Sequence, residues 1–348
     1  MNAACEPIGD GRTDNAPLFA ATFARLEAAG IGGLQLAAGT YLVSRTVELP
    51  TSVSLQLGPG ARITAMPGFS GEAVLRKQRG AIGVHAWNGR ICGGLIDGGK
   101  QDVVGIHVPG ACRLDIHDIE IVDCLRKGIH VGDSEKTWGY EVNIRGVRCA
   151  IDLTTAHMPG SIGVHYQQIT DSYIHQVVVI GYETGVASES SANDFSQVHV
   201  WSVPEQGPLK RNFHCNGWGD SWSQCYADAP FDEGRECYGF LVEKPFNRFT
   251  GCRVYSNTFT VDATVVGFHI ATGGTHGSYQ GNLFTASPQH RIKAAFAGNL
   301  EAATILGNGY DPGVMAGREN RIPSDCGGVS HVPPLRIGET TMPREDNA

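Results

Sequence analysis

The sequence predicts an all-β chain, a single-stranded right-handed parallel β-helix with an N-terminal capping α-helix, and three observations carry that expectation. From residue 90 onward, short segments of alternating apolar and polar residues recur every 22 to 35 positions. Glycine is abundant, at 46 of 348 residues, and only 18% of residues are charged, which suits many short strands joined by turns. Only one segment reads as clearly helical. A repeat of two or three short strands cannot bury a face alone, so its copies must stack into one continuous core. A β-propeller needs roughly 40 residues and four strands per repeat, which this spacing does not supply.

The helical segment is Thr13 to Gly30. Leu18, Phe19, Phe23 and Leu26 share a face, Thr13 or Asp14 is the expected N-cap, and Gly30 falls at C′. Period-2 strands broken by glycine follow at Leu34 to Leu36, Tyr41 to Val43, Val53 to Leu57 and Arg62 to Thr64. The β-helix is expected to occupy residues 1–309, and residues 310–348, which lose the repeat, to form an irregular C-terminal tail.

Two strand series run through the repeats. In the first, Val198, Cys225 and Cys252 are 27 apart, as are Val200, Ala227 and Val254. In the second, GIHV at 105 to 108 returns as GIHV at 128 to 131 and GVHY at 163 to 166, and later as NFHC at 212 to 215 and GFHI at 267 to 270. This series places His107, His130, His165, His214 and His269 in one column, interrupted by Ala187 and Leu241.

Composition excludes several classes. A net charge of -8 offers no basic stripe for phosphate backbones, so no nucleic-acid partner is expected. No apolar run approaches the roughly 20 residues of a membrane span, so no membrane partner is expected either. Met1 to Gly11 show no charged segment leading into an apolar one, so no signal peptide is expected in this chain. The ten cysteines are scattered, several at apolar-facing positions, and no CxxC pair occurs; buried free thiols are expected rather than disulfides or structural zinc.

The opening IGDGRTDNAPLFAATFARLEAAG, followed by GGLQLAAGTYLVSRTVELPTSVSLQLGPGARI, resembles the N-terminal signature of the pectate-lyase-like superfamily of parallel β-helices. Gly9, Asp10, Gly11, Asp14, Gly39, Tyr41, Gly58 and Gly60 carry the likeness, with Ala38 where the family often has proline, and GLIDGGK around Asp97 is similar to a rung motif of these proteins. The GDG segment has neither the lysine nor the preceding strand of a phosphate loop and reads as a turn into the helix. The resemblance implies polysaccharide lyases, polygalacturonase-like hydrolases, fructotransferases, epimerases or tailspike depolymerases. It also makes side-by-side association into homotrimers natural and a secreted or phage-borne protein the preferred setting. One scaffold hosts many chemistries, so it fixes fold better than reaction.

Because rungs lie about 4.8 Å apart and side chains alternate, residues beside the inward positions form an outward ladder. It comprises Gln197, His199 and Trp201, then Gln224, Tyr226 and Asp228, then Gly251, Arg253 and Tyr255, with Gln176, Val178, Asp118 and Glu120 continuing it backwards. Trp201, Tyr226 and Tyr255 are candidates for stacking on sugar rings, and Gln197, Gln224 and Asp228 for bonding hydroxyls, which gives an oligosaccharide or polysaccharide as substrate. Two mechanisms are open. β-Elimination at a uronic acid, slightly preferred, would use Tyr226 or His199 as base and Arg253 to neutralise the enolate. Hydrolysis would need two carboxyls, of which Asp228 is one, with Asp220, Asp232 and Glu233 nearby in sequence. The catalytic candidates are thus Tyr226, Asp228, Arg253 and His199, and the substrate-binding ones Trp201, Tyr255, Gln197 and Gln224. A non-catalytic glycan-binding or tailspike-like structural β-helix is the rival reading. No cofactor is expected. The histidine column is expected to face outward as a surface ladder or subunit contact, and no metal ligand is assigned, because donors one rung apart seldom close a tetrahedron.

Overall fold

A computed structural model describes residues 6–78, 89–110, 112–133, 139–257, 264–287, 290, 292–300 and 302–310. The chain winds into a parallel β-solenoid of about ten turns with one helix near its N-terminus. Its strands pair in register along three faces. The groove face runs from Leu95–Gln101 through Tyr173–Ile180, Asp194–Trp201 and Tyr226–Asp228 to Arg253–Ser256 and Leu283–Ala286. The histidine face runs from Val104–Val108 through Lys127–Val131 and Ile162–Thr170 to Thr264–Ile270. The third face runs from Gly33–Leu36 through Cys112–His117 and Ser221–Ser223 to Thr304–Leu306.

Each face sends apolar side chains inward in columns. In the N-terminal half these are aliphatic: Ile106, Ile129 and Val164 on the histidine face, Ile91, Ile116, Ile144 and Ile174 on the third, all fully buried. Midway they become aromatic. Phe213, Phe240 and Phe268 stack at centroid distances of 4.5 Å, and Phe195, Trp222, Phe249 and Tyr279 stack on the third face. The two stacks meet edge to face, as at Phe240 and Phe249, 5.5 Å apart and inclined at 76°. Rung spacing suits parallel rings within a column, and edge-on contact between columns favours the ring quadrupoles.

The helix spans Ala16–Ala28 and buries Phe19, Phe23 and Leu26 at the N-terminal end of the coil. Gly30 takes a left-handed φ of 66° after it. The N-cap is Asn15 rather than Thr13 or Asp14. Asp14 is drawn to the next rung, where Ser44 donates from its Oγ and its backbone N–H, while the Asn15 side chain ties back to Ile8. The eight described cysteines are free and all but Cys112 are buried; Cys5 and Cys326 lie outside the described residues. The expected tail lies outside them too, apart from Tyr310, which pairs in the last rung.

One corner carries a buried polar ladder. The Ser172 N–H donates to Asn193 Oδ1, the Asn193 N–H donates to Asp220 Oδ1 at 2.9 Å, and Asn247 donates to the Gly217 carbonyl. Asp220 is fully buried and accepts a further bond from Ser188 Oγ at 2.6 Å. Burial pushes its pKa up to about 6, against the pull of these donors.

Two predictions follow from this packing. Phe240→Ala opens a void between two aromatic stacks and is expected to lower stability by about 3–5 kcal/mol in denaturant unfolding. For Asp220, native and unfolded states are both protonated below pH ~4; between there and about 6 the unfolded chain gives up its proton first, so stability falls as pH rises through that window. Asp220→Asn keeps the shape without the charge. Its melting temperature should exceed that of the parent at pH 8 and approach it at pH 4, with a gain at the higher pH of at most ~3 kcal/mol; parallel melting curves at both pH values would refute the assignment.

Candidate active site

On the groove face the inward set Val198, Val200, Cys225, Ala227, Cys252 and Val254 is buried to within 1%. The intervening residues therefore emerge on the outer surface. His199 pairs with Tyr226, Tyr226 with Arg253, and Asp228 with Tyr255. The His199 and Tyr226 rings stack at 4.6 Å and 11°, and the Arg253 guanidinium lies 4.9 Å from the Tyr226 centroid and 5.6 Å from that of Tyr255. His199 Nε2 is 3.2 Å from Asp228 Oδ2. Four candidates thus form one contiguous group, in which Tyr226 has an imidazole on one face and a cation on the other.

That sandwich alters the role open to Tyr226. With both ring faces covered, it presents its hydroxyl edge, not a ring face, to the groove. Burial, then the charge and hydrogen bonding of Asp228, push its pKa up to about 12 against the pull of Arg253, so it stays protonated at neutral pH. Since a carboxylate only accepts, Asp228 favours the His199 tautomer with its proton on Nε2 and the lone pair on Nδ1. Trp201 and Tyr255 sit half-buried in the neighbouring column, on the rungs before and after Asp228.

Gln197 and Gln224 are exposed and bonded to each other, Nε2 to Oε1 at 3.1 Å, but they are not extended strand residues as the alternation implied. They occupy the bend between the third face and the groove face, with φ of 54° and 52°. Asp118, Gly146, Gln176, Gly251, Gly281 and Gly307 take the same left-handed conformation in their own rungs. The signal was present in the sequence: glycine stands at this position in rungs before and after the two glutamines.

The groove continues past His199 to Val178, its partner on the preceding rung. There Asp118, Glu120, Arg148, Gln176 and Val178 line a cavity of about 390 Å³, with Arg148 paired to Glu120 at 2.9 Å. A larger cavity of about 790 Å³ lies on the third face, among Arg90, Arg113, Asp115, Glu141, Asn143 and Tyr173. Nothing in the repeat pattern marks it. Arg113 pairs there with Glu141 at 2.9 Å and Asn143 donates to Asp115, so its charges largely answer one another and no histidine lines it.

Of the remaining acids, Asp220 is buried in the corner ladder, whereas Asp232 and Glu233 sit in the turn before Glu236–Val242. The histidine column forms in the expected register, His107 to His130 to His165, but is not a solvent-facing ladder: the three are 4%, 8% and 5% exposed. Burial pushes all three pKa values down, that of His130 to about 2, which keeps the stack uncharged.

No family model and no curated protein matches the sequence. Solved structures do. The mannuronan C-5 epimerase AlgE4 A-module of Azotobacter vinelandii aligns with a TM-score of 0.51 at 16% identity, over 88% of this chain and 94% of that one. The tailspike protein gp49 of Pseudomonas phage LKA1 aligns at 0.53 and 10% identity, over 88% and 78%. An alginate lyase from Paenibacillus sp. str. FPU-7 aligns at 0.50 and 14% identity, over 78% and 96%. At such identities the likeness concerns fold alone: the chain shares the right-handed parallel β-helix of these proteins.

The left-handed bend makes a prediction that separates backbone from side chain. Gln224→Gly relieves strain of about 1 kcal/mol and loses only an exposed amide bond, so its melting temperature is expected to equal or exceed that of the parent. Gln224→Val should melt lower, because a β-branched residue tolerates that conformation least.

Proposed function

We propose that the chain is an enzyme that cleaves an acidic polysaccharide by β-elimination at a uronic acid bound along the groove face. The observation that carries this reading is the order of groups in one column: an imidazole oriented by Asp228, a phenol that keeps its proton, and a guanidinium. Elimination needs a base for the proton beside the carboxylate, an acid for the leaving oxygen, and a positive charge for the enolate. His199 Nδ1 takes the proton, and Arg253 faces the substrate carboxylate as negative charge grows on it. The electron pair forms the double bond, the glycosidic C–O bond breaks, and Tyr226 gives its hydroxyl proton to the departing sugar oxygen. Solvent then carries a proton from the imidazolium back to the phenolate. Trp201 and Tyr255 offer ring faces to adjacent sugars, and Gln197 and Gln224 offer amides to hydroxyls.

Hydrolysis is less well supported. It requires paired carboxyls, and Asp228 is the sole carboxylate in the groove-face segments 197–201, 224–228 and 251–255, Asp220 being fully buried in the corner ladder. Two fold neighbours bear the titles mannuronan C-5 epimerase and alginate lyase, which makes alginate a reasonable first substrate. Epimerisation begins with the same proton abstraction and is separated from elimination by its product.

The test is to incubate the protein with alginate, other polyuronates and neutral polysaccharides. Absorbance of unsaturated uronate, reducing ends and deuterium uptake from D2O are followed together. Elimination predicts unsaturated ends that rise with reducing ends. Reducing ends alone would establish hydrolysis, deuterium uptake without cleavage would establish epimerisation, and binding without any of these would establish an adhesin. Tyr226→Phe and His199→Gln are each expected to lower kcat by about 10²–10⁴ with the fold intact. Arg253→Gln should raise KM as well as lower kcat, since it meets the substrate carboxylate in the ground state and more strongly as charge grows in the transition state.

A further inference from the structure

The histidine face holds a second cluster that this chemistry does not use. The rings of His107 and His130 lie parallel, with centroids 4.8 Å apart and planes 5° from coincidence. His107 Nε2 is 3.3 Å from the Gly132 carbonyl, and His130 Nε2 is 3.3 Å from the amide oxygen of Gln167. Both partners accept, so both Nε2 atoms carry the proton and both Nδ1 atoms carry a lone pair. Each Nδ1 is buried without a hydrogen-bond partner, in side chains more than nine-tenths buried. Glu72 reaches in beside them, with a carboxylate oxygen 3.9 Å from His107 Nδ1. The donor atoms of the three residues all lie within 4.8 Å of one another. The next imidazole differs: His165 Nδ1 meets Lys127 Nζ at 2.8 Å and is already partnered.

A buried polar atom without a partner is destabilising, and each such atom calls for an explanation. Here two lone pairs on adjacent rungs converge beside a carboxylate. We propose that Glu72, His107 and His130 bind a divalent transition-metal ion of the zinc, cobalt or nickel class. Neutral imidazoles and one carboxylate suit such ions, and each imidazole has its far nitrogen held by an oxygen acceptor, the arrangement that orients metal-bound histidines. Metal–nitrogen bonds of about 2.0–2.1 Å require the two Nδ1 atoms to draw together. Rotation of the rings does this by loosening Nε2 contacts that are long to begin with. The Glu72 side chain is 53% exposed and gives the ion its path from solvent. Arg76 and Lys127 act on His107 against a cation, so the Glu72 charge is essential to affinity. A bound ion would clamp the strand Ala61–Lys77 to the two rungs that follow it, which makes the site structural and independent of the groove.

The test uses the full chain after chelator treatment, titrated with ZnCl2, CoCl2 and NiCl2 by calorimetry, by thermal melting and, for cobalt, by visible absorption. One equivalent is expected to bind, raise the melting temperature and give cobalt bands of nitrogen and oxygen ligation. Glu72→Gln, a change at an exposed side chain that leaves the fold intact, should weaken binding by tenfold or more, as should His130→Gln if it folds. His165→Gln should bind as the parent does. Failure of the parent to bind any of the three ions, or parental affinity in Glu72→Gln, would overturn the proposal.

Discussion

The constraint on which this molecule depends is that successive rungs stack in register, about 4.8 Å apart, so that a residue's neighbours are fixed by the rungs above and below it. Every pairing along the three faces is parallel, and the shifts in register are few and local. Inside, this aligns like with like: isoleucine over isoleucine, then phenylalanine over phenylalanine, each column sealed by those of the other two faces. At the corner it aligns Ser172, Asn193 and Asp220 into a chain of bonds, with Asn247 on the next rung bonded to the Gly217 carbonyl, and these satisfy buried backbone groups where the strands turn. An isolated rung could make none of these contacts, so stability belongs to the stack.

The same constraint governs where chemistry can arise. A column of identical outward residues yields only a ladder, as the bonded pair Gln197 and Gln224 shows. Reactivity needs unlike groups brought together, and the column Val178, His199, Tyr226, Arg253, Leu283 changes character at each step. Translation by one rung also dictates how the groups meet, face to face, so imidazole, phenol and guanidinium stack and leave their polar edges to the groove. The interior beneath is made of small residues, Cys225, Ala227, Cys252 and Val254, with no exposure above 1%, so the outward side chains stand on a rigid floor.

What the sequence disclosed, and what it concealed, follows from period and context. Alternation assigns a side chain to inside or outside, and a shared spacing of 27 assigns it to a column; those two facts placed Val198, Cys225 and Cys252 within and His199, Tyr226 and Arg253 without. Alternation fails at a bend. Gln197 and Gln224 read as strand because nothing marks a glutamine as left-handed, although Gly251 and Gly281 in the same column carry the mark. Periodicity likewise says that a histidine leaves the core, not what lies over it, so the burial of His107, His130 and His165 was invisible. Asp14 departs from the capping pattern for a related reason. Its carboxylate serves Ser44, thirty positions away, and a local capping rule cannot see a partner that the coil alone brings near.

The outward columns also bear on how the groove would choose its substrate. Under the proposed elimination, Tyr226, with His199 and Arg253 over its ring, would leave ring-stacking to Trp201 and to the open face of Tyr255, with Asp228 on the rung between them. Two platforms two rungs apart are separated by roughly 9–10 Å along the coil axis, about the length of two linked sugars. A polymer lying along the axis could then rest alternate residues on Trp201 and Tyr255 while the intervening linkage passes over Asp228 and the His199–Tyr226 edge. The amides of Gln197 and Gln224 flank that path from the bend, and the Glu120–Arg148 pair lies further along it, beyond Val178.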